Sequence, residues 1–149
     1  MNEQTINFLN VLPIGTKLDD LESECEYIGE VIKNEHQFQF YKYSEEFEDS
    51  IYGLKPMEKP LLYFNLNVLS RVEYLFDIAY FKDLYKGVNK YLPIGEKFKD
   101  NPLNCLDLDC PDCSNNYSFS SFNNIFIGLI KTGSTTALLK IADHNFFHN

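Results

Sequence analysis

The chain has no tryptophan, only two methionines, and no apolar run near the ~20 residues that a bilayer-spanning helix needs. Its N-terminus, MNEQTINFLNVLPIG, lacks the basic start and apolar stretch of a secretory signal. A cytoplasmic protein is expected, with its four cysteines kept as thiols by that reducing compartment. Cations are also scarce: 13 Lys and Arg stand against 22 Asp and Glu, a net charge of -9. Nucleic acid is therefore expected not to be a partner, because its affinity comes largely from Lys and Arg neutralising phosphates. An anionic membrane surface is disfavoured for the same reason. A basic protein is the complementary partner, since opposite fields speed encounter. Acidity that serves solubility alone is the competing explanation.

Catalytic signatures are missing as well. The sequence contains no G-x-S-x-G, no phosphate-binding G-x-x-x-x-G-K-[ST], no G-x-G-x-x-G and no H-E-x-x-H. No enzyme and no cofactor are expected on this basis. What the chain does have is aromatic side chains, at 15%, carried by 13 Phe and 10 Tyr. Such residues favour half-buried sheet surfaces. A length of 149 residues fits a single domain with a real core.

The organisation is a repeat. Leu12-Pro13-Ile14-Gly15 recurs as Leu92-Pro93-Ile94-Gly95, and the match runs on without a gap. Lys17 meets Lys97, Asp20 meets Asp100, Cys25 meets Cys105, and Leu18 faces Phe98. Two duplicated units are read, about 1–80 and 81–149. In each, Pro and Gly mark a turn. Thr16 is the expected N-cap of a short helix with acids in its first turn, and Leu18, Leu21 and Cys25 form its apolar stripe. In the second unit Pro102 shifts the helix start, with Asp100 or Asn101 as cap and Leu103 and Leu106 facing inward.

Strands are expected after each helix. Over 36–44, Phe38, Phe40 and Lys42 point one way, and Gln37, Gln39, Tyr41 and Tyr43 the other. Further strands are expected at 51–54, 61–67 and 71–78, the last two joined by a bend at 67–70. In 71–78, Val72, Tyr74, Phe76 and Ile78 oppose Arg71, Glu73, Leu75 and Asp77. A helix over 70–86 also fits the spacing of Leu69, Val72, Phe76, Ala79 and Asp83, but the β-rich composition favours strand. The segments 117–122, 125–130 and 136–142 read as a meander, with a hairpin turn at 131–134. The expected class is α+β: two short-helix plus antiparallel-strand units forming one mainly antiparallel sheet.

Cys110 and Cys113 have C-x-x-C spacing, and His144 and His148 stand four apart, so a Cys₂His₂ zinc site is conceivable on residue type. The gap between Cys113 and His144 is about twice that of a finger, and it contains the predicted meander. No bound metal is expected. Carboxylates cluster at Glu45, Glu46, Glu48 and Asp49, and again at Asp107, Asp109 and Asp112. Both clusters fall in predicted loops, where no scaffold forces acid–base chemistry. Tyr41, Tyr43 and Tyr52 flank the first. Polar-tipped aromatics beside carboxylates suit a partner rich in Lys or Arg. These ten residues are the expected partner-binding set, and a second packed sheet face is the alternative role for the tyrosines.

The two LPIG-x-K turns and the strands after them resemble the tandem α/β repeat of β-lactamase-inhibitor-like proteins, which implies a binding sheet built from two units. The small acidic chain rich in Asn, Lys, Phe and Tyr, with segments LLYFNLN, RVEYLFDI and DLYKGVN, is similar to bacterial immunity proteins of contact-dependent or polymorphic toxin systems. That resemblance implies a stoichiometric inhibitor occluding the active site of a toxin domain, often a basic nuclease. An intracellular adaptor without a toxin partner is the other class of binding protein compatible with the composition.

Overall fold

Among the described residues, stretches in which aromatic and β-branched residues alternate fold as strands, and two segments in which apolar residues recur every three or four positions fold as helices. The computed structural model describes residues 14–33, 35–44, 54–91, 117–122, 125–132 and 135–143. Helix α1 (Leu18–Leu21) leads through a 3-10 turn (Glu22–Glu24) into β1 (Cys25–Lys33). Then come β2 (His36–Tyr43), β3 (Leu61–Asn65) and β4 (Val68–Asp77). A second 3-10 turn (Ile78–Tyr80) opens helix α2 (Phe81–Tyr91), followed by β5 (Tyr117–Phe122), β6 (Ile125–Lys131) and β7 (Thr136–Asp143). The seven strands among the described residues join one sheet in the order β1-β2-β3-β4-β7-β6-β5, and each pairing between them is antiparallel. The chain is thus α+β, with two meanders meeting through their last strands.

The pleat of β4 explains the core. Val72, Tyr74 and Phe76 point to one face, opposite Ile141, Leu139 and Ala137 of β7, and all six are fully buried. Ile125, Ile127 and Leu129 of β6 and Leu62 and Phe64 of β3 extend that layer. Both helices supply its cover, through Leu18 and Leu21 of α1 and through Phe81, Leu84 and Val88 of α2. Each such burial stabilises by about 1.5–3 kcal/mol before the entropy of ordering the chain is counted.

Local chemistry sets the boundaries. Gly15 takes φ 98°, which its lack of a Cβ permits. Its N–H donates to the Leu69 carbonyl at 2.8 Å, and the Leu69 N–H returns a bond to Thr16 at 2.8 Å. Lys17 bridges Val68 as a one-residue extension of the sheet. This pinning moves the helix start: the N-cap is Lys17 in extended conformation, with no side-chain cap bond, rather than Thr16. The helix is also shorter than its stripe predicts, because Cys25 already belongs to β1. At the other helix, Asp77 Oδ1 accepts from the Ala79 N–H at 2.9 Å, which starts the turn into α2.

The expected strands at 36–44, 61–67, 71–78, 117–122, 125–130 and 136–142 all correspond to strands. The β3–β4 turn sits at Leu66 and Asn67, earlier than the expected bend. Both residues are left-handed, with φ 51° and 64°, the pattern of a type I′ hairpin. β1 was not expected; of the alternative helix over 70–86, the first part is β4 and only 81–86 is α-helical, as the start of α2. The second repeat block, 92–105, lies outside the described residues, as do 51–53 and the tip of the β6–β7 turn. No helix among the described residues is long and apolar enough to cross a membrane.

Candidate partner-binding surface

Tyr41 and Tyr43 share one side of β2, as the alternation predicts, but that side is the helix-covered one. Tyr41 is only 7% exposed, its ring set edge-on to Phe64 at 5.4 Å and to Tyr27 at 5.2 Å. Burial, then the carboxylate of Glu22, raises its hydroxyl pKa. Tyr41, expected in the partner-binding set, is corrected to the alternative role: it packs on the sheet face as a core residue. Tyr43 is half-buried, packs on the rim of the core, and donates its hydroxyl to Glu24 Oε2 at 3.2 Å. Glu45, Glu46, Glu48, Asp49, Tyr52, Asp107, Asp109 and Asp112 lie outside the described residues, as do Cys105, Cys110, Cys113, His144 and His148.

Beside Tyr43 the structure forms a groove of about 560 Å³. Its walls are Glu26 of β1, Lys42 and Tyr43 of β2, and the segment 55–59, with Met57 at its mouth. The frame is held by backbone bonds: Tyr43 N–H to Pro60, Met57 N–H to Leu75, and Ser44 N–H to Glu24. Lys59 Nζ donates to the Ser44 carbonyl at 2.5 Å. Lys42, Lys55 and Lys59 stand with Glu26 and Glu58 around the groove, so it carries both signs. Ser44 lines it, and the sequence runs directly from Ser44 into Glu45, Glu46, Glu48 and Asp49.

The opposite sheet face holds a charged cluster that reading the sequence did not single out. Glu73 Oε2 accepts from Arg71 Nε at 2.8 Å and from Arg71 Nη2, while Glu73 Oε1 accepts the Tyr63 hydroxyl at 3.1 Å. Tyr63 stacks on Phe40 at 4.8 Å, with the Arg71 guanidinium 4.9 Å and the Lys33 ammonium 5.7 Å from its ring centre. Lys140 stands across the ladder from Glu73. Arg71, Glu73, Tyr63 and Lys140 are all buried. Burial, then the nearby Arg71 cation, pulls the Lys140 ammonium pKa down to about 8. Burial, then the Glu73 charge, pushes the Tyr63 hydroxyl well above its usual range. The alternation in 71–78 placed Arg71 and Glu73 on one face. It contained no signal that this face would be buried too.

Cys25, at the start of β1, is a free, half-buried thiol pushed up to about 11 by burial and by Glu24. Among the described residues, no three His, Cys, Asp or Glu side chains converge on a possible metal position. No family model matches the chain, and neither a curated protein nor a solved structure matches it.

Proposed function

We propose that this chain is an immunity protein that binds a basic toxin domain and occludes its active site. The observation that carries the reading is the preformed groove beside Tyr43, which the sequence continues into Glu45–Asp49 without a break. A half-buried tyrosine and an exposed methionine offer apolar anchorage, and the alternating lysines and glutamates fix the register of a charged partner. The net charge of -9 supplies long-range attraction toward a cationic surface. Neutralisation by occlusion needs no chemistry from this chain, only a tight stoichiometric fit. Its place of action is the cytoplasm of the cell it protects.

The test is protection. The toxin domain encoded next to this gene is expressed in a sensitive host with and without this chain. Restored growth and a co-purifying one-to-one complex are expected. Met57→Asp, at an exposed side chain, should leave the fold intact and weaken the complex about tenfold or more. Growth that stays arrested, with no complex from either version, overturns the reading.

A further inference from the structure

We propose that the outer edge of β1 accepts a basic, extended segment of the partner as an added strand. This rests on the proposed function only for the identity of the partner, not for the chemistry of the edge.

β1 ends the sheet, and among the described residues no strand pairs with its outer side. Natural edges are guarded by brevity, proline or outward lysines. β1 spans nine residues, lacks proline, and has a single lysine whose ammonium is turned over the Tyr63 ring. What guards it is a bulge between Tyr27 and Gly29 and the carboxylates of Glu26 and Glu30, which repel an acidic or like strand but not a basic one. Beyond the bulge, 29–33 runs in unbroken register with Phe40 to His36, leaving a straight stretch of five residues.

The side chains along this edge are apolar and open. Tyr27 is 53% exposed, Ile28 49% and Ile32 75%. The charge around them has one sign. Residues 22–35 hold Glu22, Glu24, Glu26, Glu30 and Glu35 against Lys33 alone, five minus charges to one plus. A second copy of this chain would bring two such edges together and is disfavoured by that repulsion. Tyr27, Glu30 and Ile32 share one side of the pleat, so a strand that presents both Lys or Arg and apolar residues on that same side satisfies the backbone, the apolar strip and the carboxylate at once.

A second groove, of about 510 Å³, lies beside the straight stretch. Glu30, Glu35, Gln37 and Leu66 line it, and Gln37 Nε2 holds the Glu30 carboxylate at 2.8 Å. Leu66 is 87% exposed and left-handed, an apolar side chain kept in a costly conformation at a surface. Two carboxylates beside a bare leucine suit a Lys or Arg that lays its stem on apolar surface and its head between acids.

The experiment uses the full chain and a synthetic ten-residue peptide, Lys-Thr-Val-Thr repeated so that Lys and Val share one face, dye-labelled and followed by fluorescence anisotropy. Two controls share its length: one with Glu for Lys, and one N-methylated at every residue so that neither backbone edge can donate. Binding of the basic peptide is expected, with amide-exchange protection appearing in 29–33. At least tenfold weakening is expected for Ile32→Lys and Glu30→Lys, and no binding of either control. The inference is overturned if the basic peptide fails to bind, if the N-methylated peptide binds equally, or if Ile32→Lys changes nothing. A wild-type dimer that Ile32→Lys dissociates would overturn it in favour of self-pairing. A toxin domain that binds regardless of Ile32→Lys but is lost with Met57→Asp removes this inference and leaves the immunity reading. Edge-dependent binding of the peptide, with no toxin bound, does the reverse.

Discussion

Replacing Lys140 with methionine should stabilise the protein at neutral pH. The side chain is buried, its carbon stem fits the sheet, and its charge is the feature at odds with its surroundings. Burial, with Arg71 and Lys33 nearby, lowers its pKa from 10.5 to about 8, and the attraction of Glu73 offsets this only in part. At about 1.4 kcal/mol per pH unit, that drop corresponds to about 3 kcal/mol of penalty in the charged form. Partial hydration of the ammonium brings the working figure to about 2 kcal/mol. Between pH 8 and 10.5 the unfolded chain binds the proton and the folded chain does not, so stability rises with pH through this window. Below pH 8 the full penalty is present. Wild type should gain about 1 kcal/mol from pH 7.5 to 9. Cys25, whose folded pKa is raised to about 11, opposes the rise above pH 9, because there the folded chain holds the extra proton. Urea unfolding followed by circular dichroism at pH 7.5, 8.25 and 9 reads both effects. Lys140→Met should raise the midpoint at pH 7.5 by about 1 M and flatten the slope between pH 7.5 and 9. A lowered midpoint together with an unchanged pH slope refutes the account of Lys140 as a strained cation.

Four further outcomes are expected. Glu73→Ala leaves the Arg71 charge and the Tyr63 hydroxyl without their shared acceptor and should cost about 3–5 kcal/mol in chemical denaturation, whereas Arg71→Met, Glu73→Leu, Tyr63→Phe and Lys140→Met together, which remove every member of the cluster, should be close to neutral. Leu66→Asn with Asn67→Gly gives the β3–β4 hairpin residues suited to two left-handed positions and should raise stability by about 1 kcal/mol, seen as a higher melting temperature. In a variant retaining only Cys25, alkylation by iodoacetamide at pH 8 should run about a hundredfold slower than that of a thiol at its ordinary pKa of 9.0; equal rates would contradict the burial of Cys25. Charge reversal at Glu45, Glu46, Glu48 and Asp49 should slow association with the toxin domain much more than it speeds release, and added salt should reproduce the effect in wild type.

The strands were legible where alternation is clean, as in β2, β4 and β7, because one buried face leaves a period-two mark. β1 was hidden for a physical reason. Its bulge at Ile28 breaks the alternation, and as an edge strand it exposes apolar residues that normally signal burial. α2 carries a stripe in Phe81, Leu84 and Val88, but the strand before it shares helical spacing through Leu69, Val72 and Phe76, which blurs where the helix begins. Tyr41 shows the limit of parity. Alternation tells which residues share a face but not which face the helices cover, and α1 crosses the side that holds Tyr41. The charged cluster was half legible for the same reason. Arg71 and Glu73 could be placed side by side from sequence, whereas Tyr63 and Lys140 reach them only through the registers of β3 with β4 and of β4 with β7.

The seam between β4 and β7 sets the order in which this protein becomes itself. Each meander can zip from its own hairpins, but the two meet only when residues as far apart as Tyr74 and Leu139 find each other. Closing a loop of that length is a slow, late event for a folding chain. Until then one edge of β4 is unpaired, and Val72, Tyr74 and Phe76 lack their neighbours from β7, a surface that invites aggregation. A nascent chain therefore stays vulnerable until β7 clears the ribosome, and a chain interrupted before residue 136 should be captured by chaperones rather than accumulate as a half-sheet.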